Sequence, residues 1–160
     1  MPQTQQQESQ PELNIMRVFN APRELVFKVW TEPEHLSKWC APTGFTIPQS
    51  EGDLRPGGAW RSCMVSPEGQ AHVAFGEYRE VVPVERLVFT HLWEEEDMPP
   101  HETLVTITLD ELGPRKTRMN FRQQFFRSVS SRDGHEGGWS QAFVRLGDLL
   151  DELEASLSTR

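Results

Sequence analysis

The last quarter of the chain constrains everything before it. Between residues 130 and 157, Trp139, Phe143, Leu146, Leu150, Leu153 and Leu157 recur at alternating steps of four and three. At about 100° per residue they fall on one stripe, with Gln141, Asp148 and Glu152 opposite, so the spacing predicts a single long amphipathic helix. Burying these six side chains contributes on the order of 10–15 kcal/mol, an upper bound because an unfolded chain is already partly compact. Such a helix needs a facing apolar surface, which the preceding residues must supply.

They supply it as strands. Residues 13–20 alternate Leu13, Ile15, Arg17 and Phe19 against Met16 and Val18 and read as a first strand. Ala21-Pro22 then opens a short helix with Leu25, Val26, Val29 and Trp30 at helical spacing, and Thr31 before Pro33-Glu34 opens a second, carrying Leu36 and Trp39 up to Cys40-Ala41-Pro42. Six further strands are predicted at 43–49, 59–65, 72–82, 86–94, 102–112 and 117–125, separated by Gly, Pro and acidic turns, the pattern of an antiparallel meander. Glu94 to Asp97 reads as a solvated hairpin tip. The order is β-α-α-β-β-β-β-β-β-α, an α+β chain in which a curved seven-stranded sheet grips the terminal helix. A helix packs closely on only part of a curved sheet, so space is expected near the two short helices.

Composition limits the functions available. The chain has 160 residues, enough for one domain with a sizeable core, and a formal charge of -8, which argues against nonspecific contact with nucleic acid or an anionic membrane. Residues 1–11 lack the basic start and apolar centre of a signal peptide and read as a disordered tail, leaving 12–160 as one domain. Cys40 and Cys63 form no CxxC pair and fit free thiols in the cytoplasm. No apolar run approaches the roughly 18 residues of a membrane span.

Several motifs together resemble a known family. They are residues 29–36 (VWTEPEHL) with Trp39 and Pro42, Pro56-Gly57-Gly58, Gly76-Glu77-Tyr78, Glu85-Arg86-Leu87-Val88-Phe89-Thr90, and Gly138-Trp139 in the terminal helix. In this order they resemble the activator of heat-shock protein 90 ATPase homologue-like branch of the START-like (SRPBCC) helix-grip superfamily. The resemblance implies the helix-grip fold and a hydrophobic pocket between sheet and helix. It implies no reaction, because that superfamily spans lipid carriers, polyketide cyclases, stress proteins and co-chaperone domains. Many relatives carry aromatics where this chain has Cys40 and His91.

The candidate pocket residues follow from strand alternation and helical phase. Trp60, Phe75, Phe89, Trp93, Phe121 and Phe125 are expected to point inward, with Glu77, His91 and Gln123 as polar groups on their faces. Two readings stand: these aromatics line an open cavity, or they fill the core while a bulge turns Glu77 outward. Running the helical phase back from Trp139 and Phe143 places His135 and Arg132 at the pocket's end, with Ser130 to Asp133 as a capping box. Glu77, His91 and His135 are the only groups placed to serve as a general acid or base in a cyclase or dehydratase. His35, His72, His91, His101 and His135 show no ligand spacing, no nucleophile elbow or phosphate loop is present, and no cofactor is expected. The expected partner is a hydrophobic small molecule, or heat-shock protein 90 as the resemblance implies, with the chain a monomer or a homodimer paired through a strand edge.

Overall fold

The alternating and helical stretches form the elements their periods dictate. In the computed structural model the chain runs β1 (Leu13–Phe19), α1 (Arg23–Thr31), α2 (Pro33–Trp39), β2 (Thr46–Gly52), β3 (Ala59–Val65), β4 (Ala71–Val82), β5 (Arg86–Trp93), β6 (Thr103–Gly113), β7 (Lys116–Gln124) and α3 (Val129–Ser158). The described residues are 10–94 and 99–158, without the side chains of the last two. Residues 1–9 of the expected tail, residues 95–97 of the expected hairpin tip and the stripe position Leu157 therefore lie outside what is described. Pro11, assigned by sequence to the tail, accepts a hydrogen bond from the Phe126 amide at 3.3 Å.

Two short helices share one residue. Glu32 ends α1 and precedes α2, where Pro33 at the first helical position fixes φ and lacks only an amide hydrogen that would have no partner. β2 starts three residues later than its sequence suggests, because the Phe45 amide returns to the Pro42 carbonyl at 3.1 Å and Gly44 takes a φ of +87°. All seven strands pair antiparallel in the order β1-β7-β6-β5-β4-β3-β2, leaving β1 and β2 as edges. The sheet curves around α3 in a helix grip. Phe143, Leu146 and Leu150 are buried as the stripe requires, and Ala142 and Leu149 widen it.

Where β7 hands over to α3, the alternation breaks. Phe125, expected inward, has a φ of +74° and is 43 % exposed, while Phe126 is buried in its place. The left-handed turn is held by His101, whose Nε2 donates to the Phe125 carbonyl at 2.6 Å. The cap then falls two residues before the expected one. Ser128 caps the helix, its hydroxyl accepting the Ser131 amide at 3.0 Å.

Arg145 ties α3 to the end of α2. Its Nη1 donates to the carbonyls of Ala41, Pro42 and Phe45 at 2.9, 2.9 and 3.2 Å, and Nη2 donates to Lys38 at 3.3 Å. A cation here satisfies carbonyls that the helix leaves open and opposes its negative end. Arg145→Met, which keeps the stem but removes four donor contacts, is expected to lower stability by about 2–3 kcal/mol in chemical denaturation. A change under about 0.5 kcal/mol would show that water replaces the guanidinium at no cost.

Candidate functional site

The two halves of α3 meet the sheet differently. Toward its C-terminus, Leu146 and Leu150 are fully buried. Toward its N-terminus small residues, Gly134, Gly138 and Ala142, stand beside His135 and Trp139, and a cavity of about 430 Å³ opens between them, α2 and strands β2–β5. That volume lies within the roughly 300–1,000 Å³ typical of small-molecule sites. Its floor is an aromatic cluster around Trp30, whose ring centroid lies 4.7 Å from Trp39 and 6.1 Å from Trp139. The tryptophans of the two short helices are anchored, Trp30 Nε1 donating to Met119 Sδ at 3.3 Å and Trp39 Nε1 to the Val29 carbonyl at 2.9 Å.

One wall depends on a missing side chain. Trp60 of β3 pairs with Gly76 of β4, and its indole crosses that glycine to donate Nε1–H to the Thr90 carbonyl of β5 at 3.0 Å. A Cβ on Gly76 would lie 2.0 Å from the same carbonyl oxygen. The Thr90 hydroxyl accepts the Glu77 amide at 2.9 Å. Trp60 thus stands flat against the sheet, 5.6 Å from Phe89 and 5.5 Å from His91.

Polar groups in this half of the molecule form chains. Trp139 Nε1 donates to Gln123 Oε1 at 2.8 Å, Gln123 Nε2 donates to Thr103 Oγ1 at 2.9 Å, and Thr103 Oγ1 donates to the His91 carbonyl at 3.0 Å. Gln123 is fully buried, so its amide has to be satisfied, and in return it fixes the Trp139 indole. His135 receives the Trp93 indole N–H on Nε2 at 3.0 Å; Nε2 is therefore bare, and Nδ1–H donates to the Ser131 carbonyl at 2.8 Å. Burial lowers its pKa. Burial, with His135 adjacent, pulls His91 down to about 3. Both imidazoles are neutral. Burial likewise pushes the Cys40 thiol up to about 12 and the Tyr78 phenol, beside it, up to about 12. A thiol so raised is a poor nucleophile at neutral pH.

Of the residues singled out by sequence, Trp60, Phe89, His91, Trp93, His135 and Trp139 lie together on the cavity wall. Phe121, Phe143 and Gln123 are instead core, each 2 % exposed or less, packed beneath the wall. Phe75 and Glu77 face away from the cavity. The inward residues of β4 are Ala74 and Tyr78, and the slip against β5 falls after Tyr78, too late to turn Glu77 inward. Glu77 is exposed and paired with Arg79 at 3.7 Å. Arg132 turns aside to Asp133 at 3.0 Å, because the cavity face of α3 runs through Ser131, His135, Gly138 and Ala142. With Glu77 on the far face and His135 bonded at both nitrogens, Glu77, His91 and His135 do not converge as an acid–base set. Cys40, which stands where relatives carry an aromatic, lines the cavity, and so do Leu36, Met64 and Tyr78, which were not singled out for it. Among the described residues no three His, Cys, Asp or Glu are grouped to hold a metal, and no helix is long and apolar enough to cross a membrane.

Comparison with known proteins agrees with this architecture. Residues 20–151 match the family model described as Activator of Hsp90 ATPase homolog 1-like protein. No curated protein matches the chain. Among solved structures, protein CV1439 from Chromobacterium violaceum is 30 % identical, with a TM-score of 0.79 over 87 % of this chain and 96 % of that one. Protein NE0264 from Nitrosomonas europaea is 29 % identical, with a TM-score of 0.75 over 90 % and 96 %. The AHSA1 protein from Silicibacter pomeroyi is 26 % identical, with a TM-score of 0.79 over 88 % and 98 %.

Proposed function

We propose, for a chain that belongs to the Activator of Hsp90 ATPase homolog 1-like family, that it holds an apolar or aromatic small molecule between its sheet and the first half of α3. The observation that carries this reading is the cavity of about 430 Å³ walled by Trp60, Phe89, Trp93 and Trp139. Flat aromatic faces give a ligand large contact area without losing much side-chain freedom. The two thiols, Cys40 and Cys63, are unpaired, which fits work in the reducing cytoplasm.

Native mass spectrometry of freshly purified protein is expected to find a retained small molecule that organic extraction removes. Filling the cavity should abolish retention. Gly138 lies on the cavity face of α3, and a Cβ there would meet Pro42 of the cavity lining at an ordinary contact distance of 3.6 Å, so Gly138→Phe places a ring at the space. Equal retention by a folded Gly138→Phe protein would place the ligand elsewhere and end this reading.

The family's description supports a second reading, contact with heat-shock protein 90. Stimulation of that protein's ATPase by this chain is its test, and a flat titration removes it.

A further inference from the structure

On the reading that the cavity binds a small molecule, its polar groups specify what kind. Tyr78 is 5 % exposed, lines the cavity from β4, and its hydroxyl has no hydrogen-bond partner among the described residues. Buried phenols ordinarily find a partner. The Tyr78 oxygen stands against Gly52 of β2, where a Cβ would come within 3.3 Å of it, so the absent side chain leaves room at the O–H. With no protein partner among the described residues, the hydroxyl is left to water or to a ligand's acceptor inside the cavity.

The same wall offers nothing to a negative charge. No lysine or arginine lines it. Arg145, whose charge reaches Cys40, directs Nη1 and Nη2 to four backbone carbonyls away from the lining. The charged group at the lining is Glu51, exposed, accepting from Gln49 Nε2 at 3.1 Å. The two histidines are neutral, and His135 has both nitrogens engaged. A carboxylate drawn into this space would lose its water and gain no ion pair with the lining, only the distant charge of Arg145.

We infer that the cavity selects an uncharged ligand, an aromatic or alicyclic compound whose carbonyl, ester or hydroxyl oxygen accepts a hydrogen bond from Tyr78, over a carboxylate of the same skeleton. Three probes separate this from simple apolar binding: naphthalene, 2-acetylnaphthalene and 2-naphthoate, each titrated at pH 8 into the full chain while the indole N–H resonances of Trp60, Trp93 and Trp139 are followed by NMR. The ketone is expected to bind about 5–10-fold more tightly than naphthalene, the yield of one net hydrogen bond. Naphthoate is expected to bind at least roughly 100-fold more weakly than the ketone. Tyr78→Phe should bring the ketone to the affinity that the same variant shows for naphthalene, with the dispersion of the other amide resonances showing that the variant is folded. Naphthoate binding as tightly as the ketone, or an unchanged ketone preference in Tyr78→Phe, overturns the inference while naphthalene binding keeps the parent reading. Failure of all three probes removes both.

Discussion

Replacing Gly76 with alanine is expected to destabilise the protein by about 3–4 kcal/mol, a large effect for one methyl group. The methyl carbon would stand 2.0 Å from the Thr90 carbonyl oxygen and 2.8 Å from Trp60 Nε1. Contact between such atoms begins above 3 Å, so β4 and β5 must part or the indole must leave. The first breaks ladder bonds; the second leaves a buried carbonyl and an indole N–H unpaired. Urea denaturation measures the loss. Gly134→Ala is the internal control, since its methyl group meets nothing within 4 Å and sits in a helix, where alanine is favoured by about 0.8–1 kcal/mol. Equal stability of the two variants would mean that the sheet yields at Gly76.

Stability is expected to fall as pH drops from about 6.5 toward 4.5, before carboxylates begin to titrate in quantity. His91 is held to about 3 by burial in the folded state, against 6.5 ordinarily. Between those values the unfolded chain binds a proton at this position and the folded chain does not. Protons therefore favour unfolding, and stability changes by up to about 1.4 kcal/mol per pH unit, on the order of 2–3 kcal/mol over this window. His135, lowered in the same direction, adds to the slope. The carboxylates Glu12 and Asp110, both lowered through bonds to Arg122, Arg118 and Asn120, lose their contributions only below about 4.5. His91→Phe should flatten the upper window and leave the lower one intact. Parallel curves for the two proteins would falsify the assignment of the slope to His91.

Periodicity made the fold legible, and the limits of periodicity mark where the sequence stopped speaking. The leucine stripe of α3 and the strict alternation of β6 and β7 announce which faces are buried. β4 does not, because Phe75 and Tyr78 are apolar on opposite faces and Gly76 between them carries no side chain to show its phase. Reading Phe75 and Glu77 as inward follows from that silence. The φ of +74° at Phe125 is equally invisible, since nothing in a phenylalanine announces a left-handed turn secured by a histidine 24 residues upstream. Whether an inward aromatic lines space or fills it depends on what stands opposite. Phe121 meets Phe143 at 5.3 Å and is packed away, whereas Trp60 faces the small residues of α3 and stays in contact with open volume.

The crossing of Trp60 over Gly76 also divides the cavity into a part that can change and a part that cannot. The sheet wall is tied to the ladder itself, because the indole bonds a backbone carbonyl two strands away and a side chain at Gly76 would displace it. The helical roof has no such tie at Gly134, where added atoms would enter open space, and only a loose one at Gly138, whose Cβ would meet Pro42 at 3.6 Å. Substitutions on one face of one helix can thus change the size of the cavity while the sheet stays an unvaried template beneath it.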